Sequence, residues 1–213
     1  MSSFVLMMLP ALMLAMSIMA CTSPRPEPPS SATLTTASAS PATSDAAPVV
    51  HEDGVAYFAG GCFWGVEHYL EQLDGVISVE SGYMGGHVDS PSYEQVSSQT
   101  SGHLETVRVR FDPARISYEA VAKRFFEIHD PTQANGQGPD IGPEYHSAVF
   151  YTSPEQKQAN EALIDRLEAR GYAVVTELRE AGTFWPAEDY HQDYYSKTGK
   201  TPYCHTRVPR FGD

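Results

Sequence analysis

Hydrophobic spacing divides the chain beyond about residue 50 into short strands and helices. Val55-Ala56-Tyr57-Phe58-Ala59 reads as a strand, and Val66, Tyr69, Leu70 and Leu73 then recur at helical spacing. That helix begins near Phe63, and Gly75 is a natural stop. Val76 to Ser81 looks extended, and Gly82-Tyr83-Met84-Gly85-Gly86 reads as a turn or loop. From Leu104 to Phe111 the chain alternates: Leu104 and Thr106 face one way, Glu105, Val107, Val109 and Phe111 the other. This predicts a strand with a carboxylate at its start. Ser117 to His129 carries Val121, Phe125 and Ile128 on one helical face and ends at Asp130-Pro131. Gln133 to Pro143 holds three Gly and two Pro, so it is loop, and loops on a rigid scaffold often carry sites. Ser147 to Thr152 reads as a buried strand. Ser153-Pro154-Glu155-Gln156 opens a helix with a capping box and Pro at its first position, and Gly171 closes it. Tyr172 to Leu178 is a further strand, Pro186 to Ser196 a short helix, and the remainder an irregular tail containing Cys204. Strands and helices interleave without a long parallel series, which predicts an α+β two-layer domain.

The N-terminus follows another pattern. Phe4 to Ala20 is almost purely apolar and ends in Ile18-Met19-Ala20-Cys21, which resembles a bacterial lipoprotein signal. The resemblance implies a signal peptide over 1–21 and lipidation of Cys21 after cleavage. The absence of Lys and Arg before the apolar run departs from that pattern. Residues 22–50 are rich in Ser, Thr, Ala and Pro and lack a hydrophobic period, so they read as a disordered tether. Such a tether reaches about 30 Å. The expected layout is an anchor, a tether and a domain over 51–213 facing out of the cytoplasm. Thr22, in place of an Asp after the lipidated cysteine, leans toward the outer membrane.

Composition narrows the partners. The 213 residues are 41% hydrophobic, enough for a real core, with a formal net charge of −13. With no basic block, neither nucleic acid nor an anionic membrane surface is expected as a partner, and membrane contact would come only through the lipid anchor. Six of the seven Met precede residue 20, leaving Met84 alone in the exported part. A low Met content suits a protein working among oxidants.

The candidate chemistry centres on Gly61-Cys62-Phe63-Trp64-Gly65. A cysteine between a strand and a helix start meets unpaired N–H groups and the positive end of the helix dipole, which favours thiolate. Phe63 and Trp64 can wall an apolar pocket beside it. If Cys21 carries lipid, Cys62 and Cys204 are the remaining thiols of the three cysteines. A plain structural disulfide and a redox pair are both open. The helix start at Cys62 and the tail position of Cys204 tilt the choice toward redox, since a mobile tail can deliver a resolving thiol. The eight His show no metal-ligand spacing, so no metal is expected. A Cys-His hydrolase or acyltransferase, with His103, His129 or His191 as base for Cys62, is the rival, and it leaves Cys204 without a role.

Five collinear blocks favour the redox reading. They are Gly61-Cys62-Phe63-Trp64-Gly65, Gly82-Tyr83-Met84-Gly85-Gly86, Gly102-His103-Leu104-Glu105, the run from Phe126 to Gln133, and the run from Pro186 to Gln192. Together they resemble the peptide methionine sulfoxide reductase A family, in order over nearly all of 55–205. The resemblance implies an α+β fold with a two-layer ferredoxin-like core, a mixed sheet and a long irregular C-terminal segment. It implies that Cys62 attacks the sulfoxide sulfur while Glu105 protonates the sulfoxide oxygen, helped by Tyr83 and Tyr145 and with Asp140 shaping the site. Phe63 and Trp64 would hold the S-methyl group, and Cys204 would be the resolving cysteine. The implied substrate is methionine S-sulfoxide, free or in proteins, the partner a thioredoxin-like dithiol reductant, and no cofactor is needed. The chain departs from the family at His146, where Arg is common, and at Pro139, where Asn is common; both bear on hydrogen bonding around Asp140.

The chemistry is coherent. Sulfoxide oxygen leaves only when protonated, which calls for a neutral carboxyl group, and burial among tyrosines raises a Glu pKa. The thiol becomes a sulfenic acid, and a second thiol displaces water to form a disulfide that an external dithiol reduces by exchange.

Overall fold

The computed structural model describes residues 54–212; the expected signal region with Cys21 and the tether lie outside the described residues. In chain order the elements are β1 (Val55–Gly60), α1 (Phe63–Glu71), β2 (Val76–Met84), α2 (Tyr93–Ser97), β3 (Leu104–Phe111) and α3 (Tyr118–Ile128). Next come β4 (Gly136–Gln137), β5 (Asp140–Ile141), β6 (Ser147–Tyr151), α4 (Pro154–Glu168), β7 (Glu177–Glu180), β8 (Trp185–Pro186) and α5 (Tyr194–Thr198). Six strands form one sheet in the order β7-β6-β1-β3-β2-β8, with β4 and β5 a separate short pair. Among the described residues only β6 and β7 run parallel, so the sheet is mixed, as expected of an α+β protein.

Strand alternation sorts side chains onto two faces. Ala56 and Phe58 of β1, Val107, Val109 and Phe111 of β3, and Val79 and Tyr83 of β2 pack beneath Val66 and Leu70 of α1, Val121 and Phe125 of α3, and Leu163 and Leu167 of α4. Phe58 stacks on Phe125 with ring centroids 4.7 Å apart. Truncating such a buried Phe costs about 3–5 kcal/mol. The opposite face carries Ala59, Met84, Leu104, Ala148 and Phe150, covered by Ala181 and Phe184.

Several expectations are corrected. Gly82-Tyr83-Met84 is the end of β2 rather than a loop, and the turn is confined to the residues after Met84. Gly82 is there because the Phe184 ring and the Trp185 carbonyl occupy the place of its Cβ. Residues 172–176 are irregular and the strand begins at Glu177. The short helix expected over 186–196 is instead β8, a set of turns, and α5, because the segment follows β2 before it turns away. Ser153 caps α4 by accepting from Gln156 N–H, but the Gln156 side chain accepts from Thr152 N–H and donates to the Val55 carbonyl, so the box is not reciprocal. A reciprocal box does start α2, between Ser92 and Gln95.

The C-terminal segment after α5 is irregular but held. Arg207 pairs with Glu127, Arg210 donates to the Glu127 carbonyl, and Val208 N–H reaches the same carbonyl at 2.7 Å. The expectation of a loose tail delivering Cys204 gives way to a packed strap. Gln192 adds a second fastening: its carboxamide accepts from Ser81 N–H and donates to Ser81 C=O, both at 2.9 Å, on the outer edge of β2.

Candidate active site

Antiparallel pairing brings the ends of β1 and β2 and the start of β3 to one end of the sheet. From β1 the chain passes through Gly61 to Cys62, the N-cap of α1. Gly61 adopts φ +91, and a Cβ there would overlap Gln137; a Cβ on Gly65 would overlap the His205 ring. Both glycines of the pentapeptide therefore make room for packing around the cysteine. Cys62 makes no side-chain cap of its own; Glu105, across on β3, supplies one by accepting from Phe63 N–H at 3.0 Å.

Glu105 shares the face of Val107 and Val109 and is buried, as the alternation implied. Burial first, and then any negative charge that Cys62 would take on, raise its pKa well above the usual carboxylate range, against the lowering effect of the Phe63 N–H. The neutral carboxyl is favoured over the carboxylate. One oxygen is held by the backbone, and the other makes no hydrogen bond among the described residues.

Cys62, Asp140 and Cys204 converge, with a sulfur or carboxylate oxygen of each within 4.8 Å of the others. Both cysteines are buried and free. The expected thiolate character of Cys62 is corrected. Hydrogen bonding with the Cys204 sulfur, then burial, push its pKa up, and the Trp64 N–H does not offset them. A helix start alone does not ionise a buried thiol beside a second sulfur. Asp140 accepts from the Tyr203 hydroxyl at 3.1 and 3.2 Å.

The aromatic wall is continuous. Phe63, almost fully buried, contacts Tyr83, Trp64 and His191. Trp64 is half-buried, stacks on Tyr194 at 3.8 Å and donates through Nε1 to His191 Nδ1 at 3.1 Å. Tyr83 donates to Glu188 Oε2 at 2.9 Å, so its proton is directed at Glu188. The other Glu188 oxygen accepts from Tyr93 N–H. Burial above all raises the pKa of Tyr83, Tyr93 and Tyr145, with Glu188 adding to it at Tyr83, so all three keep their protons.

Sequence reasoning passed over Tyr93, Glu188, Tyr194 and His205, and named His191 only as a hydrolase base. Glu188 and His191 stand in the quoted Pro186–Gln192 run, which was the available signal. The expected pairing of Cys62 with His103, His129 or His191 is absent among the described residues. His103 is held between Gly86 N–H and the Val88 carbonyl, and His129 between the Phe125 carbonyl and Ser147 Oγ. Burial drives the His129 pKa down to about 3. His191 accepts from Trp64 instead. The histidine that does meet a thiol is His205, on Cys204. A surface hollow lined by Val55, Tyr57, Tyr118 and Gln156 lies at the other end of β1, holds no thiol and is separate from this site.

A buried dithiol at a helix start, with a buried carboxyl and an aromatic wall, defines a thiol oxidoreductase. The chain belongs to the peptide methionine sulfoxide reductase family, whose model matches residues 54–212. It is 48% identical over 151 residues to the peptide methionine sulfoxide reductase MsrA of Saccharolobus solfataricus, covering 70% of this chain and 85% of that protein. It is also 48% identical over 147 residues to the MsrA of Geobacter sulfurreducens, covering 68% and 91%. Among solved structures, reduced Mxr1 of Saccharomyces cerevisiae is similar with a TM-score of 0.67 and 33% identity, covering 72% of this chain and 91% of that one. The Corynebacterium diphtheriae methionine sulfoxide reductase A gives a TM-score of 0.63 at 30% identity, covering 73% and 81%.

Proposed function

We propose that this chain reduces methionine sulfoxide, free or in proteins, to methionine through a Cys62 sulfenic acid and a Cys62–Cys204 disulfide. The observation that carries the reading is the reduced, buried Cys62–Cys204 pair beside a buried Glu105 whose pKa is raised. Glu105 protonates the sulfoxide oxygen as Cys62 Sγ attacks the sulfoxide sulfur. The thiol proton replaces the one Glu105 gives up, methionine leaves, and Cys62 is left as S–OH. Phe63 and Trp64 take the S-methyl group. Tyr145 supports the oxygen, Tyr83 acts through Glu188, and Asp140, held by Tyr203, fixes the loop against both sulfurs. Cys204 then forms the disulfide, and a thioredoxin-like dithiol reopens it by exchange. A preference for the S-sulfoxide rests on the family alone.

The proposed architecture is a ferredoxin-like core; the order β6-β1-β3-β2 with α1 and α3 on one face supports it. The proposed setting is extracytoplasmic: a signal over 1–21, lipid on Cys21, a tether over 22–50 and the reductase domain over 51–213.

Intact-mass measurement of the reduced domain after adding a methionine sulfoxide peptide tests the reaction. The expected result is a loss of about 2 Da as two thiols become one disulfide. Cys62→Ser shows no change, and Cys204→Ser stops at a gain of about 16 Da, the sulfenic acid. An acyl adduct or an unreacted wild-type chain overturns the reading.

A further inference from the structure

The resolving step needs Cys204 to lose a proton inside a buried site, where solvent base has little access. His205 follows Cys204 directly and is 2% exposed. Nε2 lies 2.7 Å from the Gly60 carbonyl, which can only accept, so Nε2 must carry the ring hydrogen. Nδ1 is then left with its lone pair, and it lies 3.1 Å from Cys204 Sγ. The thiol therefore donates to the imidazole. The missing Cβ of Gly65 leaves the space this ring occupies. Burial, the largest influence, lowers the His205 pKa and keeps the ring neutral and able to accept, while the Gly60 carbonyl and Asp140 act against it.

We propose that His205 is the base of the resolving step, taking the Cys204 thiol proton at Nδ1 as Cys204 Sγ attacks the Cys62 sulfenic acid. The inference rests on the reductase reading above. In the step, the Cys204 S–H bond breaks and its proton moves to Nδ1. The sulfur pair forms the S–S bond, the Cys62 S–O bond breaks, and the departing hydroxide takes the proton back from the imidazolium as water. Cys204 sulfur is oxidised and Cys62 sulfur reduced, and no other reactant is required. The charged or titratable groups around the ring are Cys204, Asp140 and, from the end of α3, His129.

Single-turnover kinetics with a methionine sulfoxide peptide separates the steps, reading methionine release and then disulfide formation. In His205→Asn the side-chain oxygen can still accept a hydrogen bond but cannot hold a proton. Its methionine burst is expected to remain, while disulfide formation slows on the order of 10²-fold, the low end for a lost general base. Its rate should then climb with hydroxide concentration, as solvent must take the proton, whereas the wild-type rate stays nearly flat. A disulfide rate in the variant within about threefold of wild type, burst intact, overturns the proposal. So does a wild-type rate that itself climbs with hydroxide, and that measurement decides the matter if the variant does not fold. Absence of the burst in wild type would instead overturn the reductase reading.

Discussion

Glu105→Gln should separate the two duties of this side chain. Its carboxyl caps α1 through Phe63 N–H and, in the proposed reaction, holds the proton that goes to the sulfoxide oxygen. A glutamine keeps an oxygen for Phe63, so the hydrogen bond, worth about 1 kcal/mol net, is retained. The transferable proton is lost. General acid catalysis contributes about 10²–10⁴-fold, so methionine formation should slow by that factor, equivalent to about 3–5.5 kcal/mol on the barrier. Stability should move the other way. Because the folded-state pKa of Glu105 is raised, its contribution is complete below the ordinary carboxylate range and is lost as pH rises through the raised value. The variant has no such titration, so above neutral pH it should resist urea better than wild type. The assays are rapid-quench methionine formation and urea melts at about pH 5 and 8. A reductive rate within about threefold of wild type would refute Glu105 as the proton donor. A variant less stable at high pH would refute the buried, protonated state.

Two more substitutions test the packing. Gly65→Ala ought to raise helix stability by about 1 kcal/mol, but its Cβ overlaps His205, and overpacking costs about 1–3 kcal/mol; a thermal melt should show a fall of a few degrees, and a rise would mean the ring is not where it is described. Glu67, buried on α1 and accepting from Asp193 N–H, has its pKa pushed from 4.5 to about 8 by burial, with Glu71 nearby. Wild-type stability should therefore decline as pH rises from about 5 through 8, by about 2–5 kcal/mol, and Glu67→Gln should flatten that decline in urea melts.

Much of this was legible locally. The alternation from Leu104 to Phe111 placed Glu105 on the core face before any contact was known, because a strand has a strict period of two. Cys62 at a strand-to-helix junction was equally plain. The thiol's charge was not, since it depends on a second sulfur 142 positions away in sequence. Gly82-Tyr83-Met84 misled because glycine signals a turn, whereas here its missing Cβ admits Phe184. Glu188, His191 and His205 lie in segments without periodicity, fixed by bonds to Tyr83, Trp64 and Gly60. Such partners are tertiary facts, and no window of sequence carries them.

The fastening of Gln192 on Ser81 reaches into substrate choice. With β8 alongside Gly82 and Tyr83, it occupies the main-chain donors and acceptors of β2 where that strand approaches the thiols. An incoming polypeptide cannot add itself to the sheet there as one more strand. In the proposed reaction recognition then falls to the oxidised side chain, which asks little of its neighbours in sequence. A repair enzyme that must find one damaged residue in many unrelated contexts is served by an edge already closed.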